Sequence, residues 1–218
     1  MKISFIGGLC GTIIYLLISY FFCKNIIEPT TMNLKDVLEF AKSGDMILFS
    51  TNDLAGKIIR FTSNDYFSHS AILFKDHNQW YLWDSDYYYQ YDYLSQKIKN
   101  GPKLRKMEEV IKDYKQCKAK LYPLKSGLKD RLNNWKQTLK IYNNLSFEDN
   151  PFAWYLAEWK LNMNTLNHNK TRNFCSELIA DTYQKLNIFN NNIPSKLYTF
   201  KDLRQQKVFN KEICFNMF

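Results

Sequence analysis

Between Asp45 and Asp86 the sequence carries three apolar runs of strand length: DMILFS (Asp45–Ser50), FSHSAILF (Phe67–Phe74) and WYLWDSD (Trp80–Asp86). Runs this short, rich in aliphatic and aromatic residues and bounded by polar ones, read as strands rather than helices. Three of them so close together commit this part of the chain to a sheet. The linker KDHNQ joining the second and third has hairpin length, and DLAGKIIRF (Asp53–Phe61) fits a short helix or loop crossing between the first two. Further on, CKAKLYPL (Cys117–Leu124) predicts a fourth strand and KVFNKEICF (Lys207–Phe215) a final one. With helical patterns in between, the expected class is α+β, a small antiparallel sheet packed against helices.

The helical patterns have their own punctuation. Asn33 is placed to cap LKDVLEFAKSG, with Leu34, Val37, Leu38 and Ala41 on one face and Gly44 as the stop. KMEEVIKDYK (Lys106–Lys115) reads as helical. From Ser126 the apolar positions Leu128, Leu132, Trp135, Leu139 and Tyr142 fall at alternating steps of four and three, which predicts one helix of four turns. Pro151, after Asn150, opens a second aromatic helix carrying Trp154, Tyr155 and Trp159. Residues 97–169 thus form a basic helical insertion within one domain spanning 33–218, and 218 residues with 45% hydrophobic composition supply one well-buried core.

Ahead of this domain, Ile3–Cys23 runs 21 residues without a charge, about the ~20 needed to cross a bilayer as a helix. It exceeds the roughly 7–15 apolar residues of a cleaved signal peptide, the competing reading, and no small-x-small cleavage site follows it. Residues 1–25 are therefore expected to be a transmembrane anchor and the protein single-pass in a membrane, with nearly balanced flanking charges leaving the side open. The formal charge of +9 is concentrated in Lys97–Lys140, which holds 14 Lys/Arg against 4 Asp/Glu. Beside an anchor, such a stripe predicts attraction to an anionic surface, worth about 1 kcal/mol per basic residue, with a solvated helical face as the plainer reading. No nucleic-acid-binding signature accompanies the charge, so no nucleic-acid partner is expected.

Two of the five cysteines, Cys10 and Cys23, lie in the uncharged run; Cys117, Cys175 and Cys214 are too few and too scattered for a disulfide framework. No metal-ligand spacing links them to His69, His77 or His168, so neither metal nor cofactor is expected. Three ionisable residues nevertheless need explaining. Strand alternation puts His69 on one face with Phe67, Ala71 and Leu73, so its imidazole points toward a core and needs a partner. On the next strand Asp84 shares a face with Trp80 and Leu82, and Asp86, two residues on, shares that face too. Cys175 stands at the start of the helix NFCSELIADTYQKL (Asn173–Leu186), where the positive end of the macrodipole favours thiolate over thiol. Taken singly, each has a bland reading: a satisfied core histidine, a strand-end carboxylate, a small buried hydrophobe. Together they are the nucleophile, base and orienter of a cysteine hydrolase.

The order of these pieces resembles a known family. GDMILFS, then FSHSAILF, then a strand ending LWDS, and finally NFCSELIADTYQKL after a long insertion is similar to the circularly permuted papain-like hydrolases of the NlpC superfamily, among them the YiiX-type and lecithin retinol acyltransferase groups, found in bacteria and large DNA viruses. Histidine before cysteine marks the permuted branch. The resemblance spans about residues 42–203 and implies that Cys175 is the nucleophile, His69 the base and Asp84 the third polar residue, with Asp86 as its rival. It implies a membrane-anchored thiol hydrolase or acyltransferase acting on a lipid or peptide amide or ester. The abundance of Asn, Lys, Ile and Tyr fits an AT-rich viral coding bias, and hence a virion or host membrane. The alternative is a catalytically silent anchored protein that keeps the fold for a structural or binding role.

Overall fold

A computed structural model describes residues 32–114, 117–148 and 172–217. The predicted anchor at Ile3–Cys23, the helix expected from Pro151 and His168 lie outside these residues. Among the described residues no helix is long and apolar enough to cross a membrane.

The chain enters through α1 (Leu34–Phe40), capped as expected: the Asn33 side chain accepts the Asp36 N–H, and the Asp36 carboxylate accepts the Asn33 N–H. The helix stops at Phe40, before Gly44, because Ala41 is already extended. Gly44 instead makes the turn into the first strand with φ +85°, where a Cβ would stand 2.6 Å from a Leu132 methyl. Strands β1 (Met46–Ser50), β2 (His69–Asp76), β3 (Gln79–Asp92), β4 (Lys97–Lys106), β5 (Lys118–Tyr122) and β8 (Ile213–Asn216) form one antiparallel sheet in the order β4-β3-β2-β1-β5-β8. The sheet is larger than expected. Its additional member, β4, is the sequence KIKNGPKLRK, at the start of what the basic pattern presents as a helical insertion. The two-residue strands β6 (Ser146–Phe147) and β7 (Arg172–Asn173) pair in parallel beside it.

Helices cover both faces, so β1 is buried along its whole length. One face packs Met46, Leu48, Ile72, Phe74 and Trp83 against Leu178, Ile179 and Tyr183 of α5 (Cys175–Lys185). The other packs Ile47, Phe49, Ala71, Leu73 and Leu82 against Leu34 and Val37 of α1 and Met107 and Val110 of α3 (Met107–Asp113). Strand alternation accounts for the division: odd and even residues of one strand serve different cores. Phe67 departs from the expected pattern, since it precedes β2 and belongs to the α5 side, whereas Ala71 and Leu73 lie opposite.

The four-turn helix expected from Ser126 is interrupted. A 3-10 helix over Ser126–Leu132 gives way at Asn133–Asn134, and α4 (Trp135–Lys140) follows. Asparagine side chains compete for backbone hydrogen bonds and favour such breaks. The apolar positions still turn inward: Leu132, Leu139 and Tyr142 are buried, and Trp135 stacks on Phe74 at 4.3 Å. Two more short helices are α2 (Leu54–Ser63) between β1 and β2, and α6 (Phe200–Arg204) before β8.

Candidate active site

The site forms at the sheet end where β1 finishes and β2 begins, and β3 positions both of its halves. On the α5 side of β3, Trp83 Nε1 donates to Thr182 Oγ1 at 3.1 Å and Ser85 Oγ donates to the Asn173 carbonyl at 3.0 Å, fixing α5 and the residues that lead into it. On the opposite side Asp84 faces His69, Nε2 to Oδ2 at 3.0 Å. α5 starts at Cys175 itself, and the Ser176 hydroxyl donates to the Tyr198 carbonyl at 2.8 Å, which pins that first turn. Cys175 and His69 line the same cavity, and the neighbouring thiol is among the groups that raise the pKa of the imidazole. Since Nε2 is engaged with Asp84, Nδ1 is the ring nitrogen available to sulfur. The three residues singled out from sequence thus come together, although Cys175 belongs to one core layer and His69 and Asp84 face the other.

Asp86 does not take the place of Asp84. It accepts from Lys103 Nζ at 2.6 Å and from the Tyr88 N–H at 2.9 Å. Asp84 also receives a fork from Arg105, Nη2 to Oδ2 at 2.6 Å and Nε to Oδ1 at 3.3 Å, and Arg105 Nη1 reaches Asp113 at 2.8 Å. Burial by itself pushes the Asp84 carboxyl up, but the Arg105 guanidinium and His69 outweigh it and hold the group well below the usual carboxylate range. For His69 burial works against charge, yet the hydrogen bonds to Asp84 and Cys175 and the charges of both raise its pKa to about 10. Tyr114 stacks on the imidazole with centroids 5.4 Å apart, and the Arg105 guanidinium lies 5.5 Å from the centroid of that tyrosine. The ring is therefore held by both a carboxylate and an aromatic plane.

Cys175 and His69 open into a cavity of about 510 Å³, within the range of small-molecule sites. Its walls are largely apolar, with Ile58 and Ile59 from α2, Phe147, Phe174 and Phe200 among them. Gly56 allows α2 to sit this close, since a Cβ there would lie 1.8 Å from Thr51 Oγ1.

No family model matches the chain, and no curated protein matches it. Among solved structures, that of metalloprotein YiiX from Escherichia coli O157:H7 aligns with a TM-score of 0.47 and 13% identity, covering 79% of this chain and 96% of that one. The likeness is weak. None of these comparisons bears on a viral source. Among the described residues no three His, Cys, Asp or Glu side chains stand together as metal ligands.

Sequence reasoning missed Arg105 and Lys103, which are 1% and 0% exposed. Both belong to the basic stretch expected to meet an anionic surface, with a solvated helical face as the plainer reading, and both are instead consumed by buried ion pairs with Asp84 and Asp86. The available signal was the alternation Lys103-Leu104-Arg105, with cations on one face and an apolar residue on the other.

Proposed function

We propose that the chain is a thiol-dependent acyl hydrolase or acyltransferase of the permuted papain-like kind, anchored in a membrane through Ile3–Cys23, with Cys175 as nucleophile, His69 as general base and acid, and Asp84 as the residue that orients the imidazole. The observation carrying this reading is the convergence of Cys175, at its helix start, and a buried, carboxylate-backed His69 on the wall of one open apolar cavity. Cys175 sulfur, with its proton on Nδ1, attacks the carbonyl carbon of an ester or amide, forming the C–S bond. At the helix start the N–H groups of Cys175 and Ser176 have no intrahelical acceptor and are available to the developing oxyanion. Collapse breaks the bond to the leaving oxygen or nitrogen as His69 delivers its proton there. Water or another acceptor, deprotonated by His69, then resolves the thioester and releases sulfur.

The apolar walls favour a fatty acyl chain over a peptide. Incubating the full chain with long-chain acyl esters, acyl amides and short peptides, then measuring the mass of the intact protein, tests this reading. We expect an acyl adduct on Cys175 from the long-chain donors that is absent from Cys175→Ala. An adduct from none of the three classes contradicts acyl transfer and leaves the silent anchored protein.

A further inference from the structure

We propose that the protein lays the mouth of its cavity on a lipid bilayer through two apolar protrusions, one on α2 and one on β3. This deepens the proposed function by giving the source of an acyl substrate; the docking itself does not depend on the chemistry. The first protrusion is a helix that hides almost nothing. Gly56 is the one residue of α2 that is buried, while Leu54, Ile58 and Phe61 are 75%, 50% and 42% exposed. Their spacing of four and three puts them in a single outward stripe, the pattern of a helix lying in a membrane interface.

The second protrusion comes from a register shift. Asp86 pairs with Gly101 and Gln90 with Lys99, so Tyr87, Tyr88 and Tyr89 stand opposite Asn100 alone. The additional residues bulge out of the ladder, and their rings are 44%, 49% and 73% exposed. Tyrosine suits the boundary between headgroups and hydrocarbon, with an apolar ring and a polar tip. Ile58, Tyr87 and Tyr88 all line the cavity that holds Cys175, so the stripe and the bulge flank one opening.

The third observation is where the chain enters. The Met32 carbonyl accepts from Asn216, which pairs with Lys118, which pairs with Ser50, the neighbour of cavity-lining Thr51. At the spacing of adjacent strands this brings Met32 to roughly 15 Å from the opening, at the same end of the sheet. Eight residues separate Met32 from the uncharged run ending at Cys23, a reach of at most about 30 Å even fully extended. A run seated in the bilayer would therefore attach the domain at the cavity end of its sheet.

The test uses the full chain carrying Cys175→Ala, reconstituted in phosphatidylcholine/phosphatidylserine vesicles that contain a lipid with a diazirine in its acyl chain. After irradiation, peptide mapping is expected to find label on 54–61 and 87–89. Phe40 is the control, 43% exposed but beside the start of β1 at the opposite end of the sheet, and is expected to stay unlabelled. Label confined to residues 1–31, or equal on Phe40, overturns the proposal. In the chain with Cys175 intact, the combined variant Leu54→Ser, Phe61→Ser, Tyr89→Ser touches no cavity-lining residue. It is expected to lose about tenfold or more of its turnover of a vesicle-borne acyl ester while a soluble short-chain ester is processed normally; unchanged turnover on vesicles overturns it. Labelling is read whether or not any ester is turned over, so failure of docking and failure of the acyl chemistry remain distinct results.

Discussion

Asp84 is fully buried between two cationic partners, and the balance of charge around it explains the state of the site. Asp84, Asp86 and Asp113 are three carboxylates in ion pairs with two cations, Lys103 and Arg105. A proton on His69 supplies the missing positive charge. Removing Arg105 leaves a buried carboxylate short of its strongest partner, so Arg105→Met is expected to cost about 3–5 kcal/mol in a denaturant titration. Arg105→Lys keeps the charge but loses the fork, and should fall in between. The pH dependence has a definite sign. His69 is raised to about 10, so its contribution is whole below its ordinary value near 6.5 and is lost as pH climbs through 10. Asp84 is lowered from 3.8, so its contribution is whole above that value and is lost as pH falls below it. The pair therefore stabilises the fold most between about pH 4 and 6.5, and thermal melts should show an alkaline decline that flattens in His69→Gln. His69, Asp84 and Cys175 were legible in the sequence because each breaks a pattern: two spoil an apolar strand face and one opens a helix. Arg105 was harder to see, because the short alternation Lys103-Leu104-Arg105 lies in a run of basic residues and its carboxylate partners belong to another strand.

At the level of elements, β4 and α2 show opposite ways in which burial departs from composition. β4 reads as a charged surface, yet Lys103 and Arg105 are buried because β3 presents carboxylates across from them. Charge pairing across a ladder is a relation between distant segments, invisible in a window of one. α2 is apolar along one side, yet that side faces outward, and Leu54→Ser should change stability by less than about 0.5 kcal/mol despite deleting a leucine. Gly44→Ala should do more, roughly 1–3 kcal/mol, since φ is +85° and the new methyl meets Leu132; urea unfolding of both variants checks the contrast. The interrupted helix at Asn133–Asn134 has a similar lesson. Periodicity foretold which side chains turn inward but not whether the backbone between them stays continuous, because two adjacent asparagines weaken the helix without disturbing the apolar register.

In the whole molecule, the sheet separates two cores and the site sits at the end where both are open. α5 rides on one face and delivers Cys175; β2 and β3 deliver His69 and Asp84 from the other. Such a junction lets a thiol from a helix start reach a histidine more than a hundred residues earlier without either leaving its own layer. The class and most of the strands were legible in advance, since short apolar runs have few other uses, whereas the sheet's full width was not. The most direct test is alkylation of Cys175 with iodoacetamide in the full chain, followed from pH 5 to 9 and compared with His69→Ala. A thiol served by His69 should react at least roughly tenfold more slowly once the histidine is removed. Equal rates in both proteins at every pH would contradict a working Cys175–His69 pair.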